Sequence, residues 1–201
     1  MAMKDNTPYH LRPKKEIEQE VACMRQIFSQ APPVQFIYEA FGGIGATAAI
    51  LRDKFPDAIF HAFDTDQKCC DLYNKSAEGM AFCINKDAHV GLTGLRFDGS
   101  TLGAVLDYNR FTMLDLERKE GKWKMDLLNA VMERKPKWVE VTDSAVCYLG
   151  TNYKKYGLRQ KSLESYVLKL GVEFNNRWGY DVKSWANHRA ATYILMGPNA
   201  K

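Results

Sequence analysis

The stretch EAFGGIG, Glu39 to Gly45, follows the apolar run VQFIY and precedes ATAAILRDKF, a run with helical spacing. Together they predict a strand, a glycine-rich turn and a helix. In an open α/β sheet such a turn is where ligands bind, because glycines let the backbone approach them closely. The segment from Gly43 to Ala48 also fits the G-x-G-x-x-A spacing of nucleotide-binding turns. The glycines alone do not choose between classes of nucleotide.

Outward from this turn the alternation continues. Residues 13–30 predict a helix, with Ile17, Val21, Met24, Ile27 and Phe28 on one face and Pro13 in the first turn. The APP at 31–33 ends it. AIFHAFD is a second strand, DQKCCDLYNKSAEG a second helix and MAFCIN a short third strand. Residues 86–109 are mixed and take no single assignment. RFTMLDL, 110–116, is expected as the fourth strand, KMDLLNAVMERK as a helix and KWVEVTD as the fifth strand. SLESYVLKLGVEFNNRW predicts a further helix, and YDVKSWANHRAATYILM two strands around a turn at Asn187.

Strand–helix alternation implies a parallel sheet with helices on both faces. Two closing strands with no helix between them imply an antiparallel hairpin at one edge. The expected architecture is a three-layer, Rossmann-like α/β fold, mostly parallel, with a C-terminal antiparallel hairpin. An N-terminal arm and helix, 1–30, is expected to precede one ligand-binding domain, 31–201.

Composition sets wide bounds. The 201 residues are 46% hydrophobic and 26% charged, as in ordinary globular proteins. A formal net charge of +4 permits an anionic partner such as nucleic acid. No apolar run approaches the roughly 20 residues of a membrane span. The N-terminus lacks the apolar core of a secretory signal, so a cytoplasmic protein is expected. Cys23, Cys69, Cys70, Cys83 and Cys147 form an odd set without regular spacing, which argues against a disulfide framework. The histidines are scattered as His10, His61, His89 and His188, and no metal site is expected.

Acidic residues at strand ends narrow the ligand. Glu39 closes the first strand, four residues before Gly43. A carboxylate there suits a cationic amine and would repel a pyrophosphate. Asp64 closes the second strand, 19 residues beyond Gly45, where a carboxylate accepts hydrogen bonds from ribose hydroxyls. Asp66 is the alternative. The acid-x-x-x-Gly-x-Gly spacing resembles that of class I methyltransferases, as does a five-strand parallel sheet with a closing hairpin. That resemblance implies S-adenosylmethionine (SAM) as cofactor, with Glu39 at its methionine amine, directly or through water. It also implies that Asp87, just past the third strand, meets the adenine amine while Ala88 packs by the ring. Phe41, Gly43 and Gly45 complete the expected cofactor set.

Farther along, INKDAHVGL, MLDLE, DLLNAVMER, VEVTDSAV, YKKYG and HRAATYILM occur in the order seen in tRNA guanine dimethyltransferases, which this chain resembles over roughly 34–196. Those enzymes methylate the exocyclic amine of a guanine in tRNA. The resemblance implies that Glu117, with Asp115 nearby, accepts a hydrogen bond from the target amine. The chain departs from the family at that point, reading LDLERKEG where the family has a proline and an aromatic residue after its acids. Trp123 is the aromatic expected to substitute in stacking on the base. No counterpart of the family's large tRNA-binding domain is expected in this sequence.

EAFGGIG also resembles the D-L-F-x-G-x-G of cytosine-5 DNA methyltransferases. Their chemistry needs a cysteine nucleophile after the fourth strand, and none stands there; Cys147 follows the fifth. Covalent cytosine chemistry is therefore excluded. Tyr153, Lys154 and Lys155 interleave aromatic and cationic groups, a pattern suited to phosphates and unpaired bases, in tRNA or DNA. The sequence thus leads to a SAM-dependent methyltransferase acting on a base amine in nucleic acid. A catalytically silent protein of the same fold and a small-molecule methyltransferase are the alternatives.

Overall fold

The computed structural model describes residues 13–43, 45–76, 81–108, 122–143, 160–188 and 191–198. Their strands are β1 (Phe36–Ala40), β2 (Ile59–Asp64), β3 (Ala81–Asn85), β4 (Leu102–Leu106), β5 (Trp138–Asp143), β6 (Tyr180–His188) and β7 (Ala191–Pro198). The helices are α1 (Lys14–Phe28), α2 (Ala46–Lys54), α3 (Gln67–Ser76), α4 (Ala88–Gly94), α5 (Lys122–Glu133) and α6 (Gln160–Trp178). All seven strands join one sheet in the order β3-β2-β1-β4-β5-β7-β6. β1 to β5 run parallel, and β7 lies antiparallel between β5 and β6. This is the expected architecture.

Side chains alternate across the sheet, so the central strands serve two cores. Ile37, Phe60, Val105, Trp138 and Leu195 face one layer, built on Met24, Ile27 and Phe28 of α1, Leu51 of α2 and Tyr73 of α3. Tyr38, Phe63, Ala104, Val139 and Ile194 face the other, built on Leu92 of α4, Leu128 and Val131 of α5, and Phe174 of α6. α1 is tied to the hairpin by the Ser184 hydroxyl, which donates to Ile27 O at 2.8 Å. At the end of α5, Arg134 donates to the carbonyls of Leu92 (2.7 Å) and Leu95 (2.6 Å), which closes the C-terminal end of α4.

Two expectations need correction. The fourth strand of the sheet is LGAVL, 102–106, and not RFTMLDL, whose residues 110–116 lie outside the described ones. LGAVL carries a glycine because β5 crowds it. A Cβ on Gly103 would meet the Trp138 ring at 2.3 Å. The hairpin turn also falls later than expected, because Asn187 is still within β6, paired with Thr192.

β3 forms one edge of the sheet, and a side chain lies along it. Asn74 on α3 donates through Nδ2 to Cys83 O at 2.9 Å and accepts through Oδ1 from Cys83 N at 2.7 Å. Behind that contact the Cys70 and Cys83 sulfurs lie 2.9 Å apart.

Candidate cofactor and acceptor site

The sheet order reverses between β1 and β4, so the carboxyl ends of these neighbours border the crevice where such folds bind ligands. The glycine turn starts there. Phe41 takes a left-handed φ of 63°, uncommon for a residue with a side chain, and Gly45 one of 83° as N-cap of α2. Gly42 is needed for space, since a Cβ would lie 2.9 Å from Ala62 Cβ and 3.2 Å from the Tyr73 ring. Tyr73 therefore forms the floor of the turn.

Glu39 lies on that floor too. Its alternation with Ile37 turns it toward the α2–α3 layer, where only 2% of it is exposed and the Tyr73 hydroxyl donates to Oε2 at 2.8 Å. Burial pushes its carboxyl up to about 8, against the pull of the Tyr73 hydrogen bond and with help from Asp107 and Asp64. At neutral pH the group is mostly protonated.

Asp64 ties β2 to the turn. Its Oδ2 accepts from Gly43 N at 3.1 Å and its Oδ1 from Asp66 N at 2.8 Å. Asp66, the alternative ribose ligand, accepts from Lys68 N at 2.9 Å and so caps α3. Asp87 caps α4, accepting from Val90 N at 3.0 Å. Ala88 beside it is buried, and its carbonyl accepts from the Tyr38 hydroxyl at 2.9 Å. The expected cofactor residues thus sit at or just past the ends of β1, β2 and β3, which are adjacent strands. Gly43 and Asp64 are in direct contact.

On the acceptor side, Asp115, Glu117, Tyr153, Lys154, Lys155 and Cys147 lie outside the described residues. Trp123 lies within them, in the first turn of α5 and 51% exposed. Its ring meets Phe41 edge-on, with centroids 5.8 Å apart, and Tyr108 at 6.3 Å; Phe41 and Tyr108 are 5.5 Å apart. The ammonium of Lys124, itself buried, lies 5.3 Å from the Trp123 centroid and 5.9 Å from that of Tyr108. The Tyr108 hydroxyl donates to Lys124 O at 2.7 Å, joining the end of β4 to the start of α5.

Sequence reasoning missed Asp107, Tyr108, Glu140 and Thr142. Asp107 and Tyr108 follow β4 directly, so placing the strand at LGAVL brings an acid and an aromatic beside the glycine turn. The Thr142 hydroxyl donates to Asp107 Oδ1 at 2.8 Å and lies 3.3 Å from Glu140 Oε1. Glu140 is completely buried, and its Oε2 has no hydrogen-bond partner. Burial first, and then the neighbouring Asp107, hold its carboxyl far above the usual range, against the Thr142 and Leu106 hydrogen bonds. Glu39, Val105 and Glu140 stand in one register row on the same face. Among the described residues no cluster of His, Cys, Asp and Glu is placed to hold a metal, and no helix is long and apolar enough to cross a membrane.

No family model matches the chain, and no curated protein matches it in sequence. Solved structures do match it in fold. The fibrillarin/Nop5p complex aligns with a TM-score of 0.60 at 13% identity, over 92% of this chain and 83% of that one. The plantazolicin methyltransferase BpumL, in complex with a monoazolic desmethylPZN analog and S-adenosylhomocysteine (SAH), gives 0.56 at 10%, over 93% and 86%. An rRNA methylase from Streptococcus thermophilus gives 0.53 at 10%, over 94% and 99%. With its parallel sheet and antiparallel β5-β7-β6 end, the chain has the class I methyltransferase fold.

Proposed function

We propose that this chain is a SAM-dependent methyltransferase whose acceptor is an amine nitrogen on a planar ring, with a nucleic-acid base as the preferred substrate. One observation carries the reading: Phe41 of the glycine turn touches Tyr108 and Trp123, and the acid Asp107 precedes Tyr108 at the end of β4. A cofactor site and an acceptor site with an acid and aromatic faces thereby share one rim. The SAH held by BpumL, on the same fold, supports the choice of cofactor.

When bound, the cofactor would supply a sulfonium methyl group, open to in-line attack by a neutral amine with the thioether as leaving group. The residues of the chain supply position. Gly43 and Gly45 let the ligand approach the backbone, Asp64 takes the ribose hydroxyls, and Asp87 with Ala88 takes the adenine. Glu39 serves the methionine amine from beneath the turn by ionising when that cation arrives. Trp123 stacks on the acceptor ring. Asp107 accepts a hydrogen bond from the acceptor amine, aims its lone pair and takes the proton released as the new N–C bond forms. Asp107 is preferred for this role over Glu117 and Asp115 because the observed β4 ends at Leu106, immediately before it.

The nucleic-acid preference rests on the net charge of +4, the Tyr153–Lys155 segment and the likeness to tRNA guanine dimethyltransferases. The fibrillarin and rRNA methylase neighbours agree with it at the level of fold. Titration calorimetry with SAH, followed by labelled-methyl transfer to RNA, DNA and small-molecule pools, tests the reading. Binding that Asp64→Ala weakens, with transfer to RNA or DNA that Asp107→Asn abolishes while SAH still binds, is the expected result. Absence of SAH binding at millimolar concentration overturns the cofactor assignment. Binding without transfer to any pool leaves a silent protein of this fold, and transfer only to small molecules overturns the nucleic-acid assignment.

A further inference from the structure

Thr142 has one hydroxyl hydrogen and two carboxyl neighbours. Asp107 Oδ1 is at 2.8 Å and Glu140 Oε1 at 3.3 Å. The hydrogen can serve only one of them, and the shorter contact is with Asp107. The contact with Glu140 is then favourable only if Glu140 itself carries a hydrogen to give.

The surroundings of Glu140 require the same state. It is fully buried with Oε2 unpartnered, an arrangement far less costly for a neutral carbonyl oxygen than for an anion. Acidic groups crowd it and Asp107. Glu39 of β1 and Asp64 of β2 lie on one side, with Tyr73 of α3 on Glu39. On the other side β7 places Leu195 opposite Glu140 and Tyr193 opposite Thr142. Carboxyls packed this closely cannot all ionise.

We propose that Glu140 and Thr142 are positioning residues for Asp107. Neutral Glu140 donates to Thr142 Oγ1, Thr142 donates to Asp107 Oδ1, and Asp107 alone among these three groups bears charge. Asp107 faces the acceptor by the reading given above, on which this inference rests. The orientation of the hydrogen chain does not depend on it. Methyl transfer moves a proton to Asp107 only; Glu140 is already protonated and takes none.

Carbon-13 NMR of carboxyl-labelled aspartate, with Asp107 assigned through Asp107→Asn, follows its titration without any substrate. Thr142→Val removes the donor to the ionised carboxylate and is expected to raise the Asp107 midpoint by about one pH unit, with Thr142→Ser restoring it. Glu140→Gln keeps a donor toward Thr142 and adds no charge, so it is expected to leave the midpoint within a few tenths of a unit. A fall of one unit or more in Glu140→Gln means that an anion was removed, and overturns the proposal. So does an unchanged midpoint in Thr142→Val. If Thr142→Val does not fold, the sign of the Glu140→Gln shift decides alone. SAH calorimetry on the same samples separates the two ideas, since loss of SAH binding in the wild type sinks the methyltransferase reading while the titrations still report on the hydrogen chain.

Discussion

The Gly43 amide donates to the Asp64 carboxylate at 3.1 Å, so the turn after β1 is fastened to the end of β2 before any ligand arrives. Asp64→Ala removes both the fastening and the expected ribose acceptor. We expect SAH affinity to fall at least tenfold, or about 1.4 kcal/mol, by calorimetry. Asp64→Asn keeps one acceptor oxygen and should fall between the two.

Gly45 combines a left-handed φ of 83° with a Tyr73 ring atom 3.2 Å from the position of a Cβ. Gly45→Ala should cost about 1–2 kcal/mol from the backbone conformation alone. In a chain of this size that lowers Tm by roughly 2–8 °C. Gly94→Ala is the control, because a Cβ there meets nothing within 4 Å, and its Tm should not fall.

Glu39 makes stability depend on pH with a definite sign. Its folded carboxyl titrates near 8, against 4.5 when unperturbed. Between those values the unfolded chain releases the proton and the folded chain keeps it, so stability is lost as pH rises from about 4.5 to about 8. Glu39→Gln abolishes that dependence. Urea denaturation should show the variant more stable than wild type at pH 8, by up to several kcal/mol. The gap should close below pH 4.5.

Trp123 is half exposed and holds no core together. Trp123→Ala should therefore leave the denaturation midpoint within about 0.5 kcal/mol of wild type. A lost stacking face of about 1–3 kcal/mol predicts a rise of roughly tenfold or more in the acceptor KM. An unchanged KM would remove Trp123 from the acceptor site.

Most of the sheet is legible because buried parallel strands read as short apolar runs between helices. β4 is the exception. Its glycine answers to Trp138, which is distant in sequence, so no local pattern marks LGAVL as central. RFTMLDL has the stronger local strand character, and it drew the acceptor acids away from Asp107. The position of Glu39 is legible from spacing. Its direction was also available, since it shares parity with Ile37 and so points beneath the turn. Glu140 is harder to find. An acid in the middle of WVEVTD reads as half-exposed until the strand order shows helices on both faces.

Asn74 gives the sheet a natural end. An edge strand with Phe82 and Ile84 half exposed is a template on which another chain could add a strand. Here the amide of Asn74 already holds the Cys83 N–H and C=O that such a strand would need. One side chain thus imitates the missing neighbour at Cys83, which opposes the addition of a strand from a second copy along β3. Its loss would leave the fold standing and show first as concentration-dependent self-association.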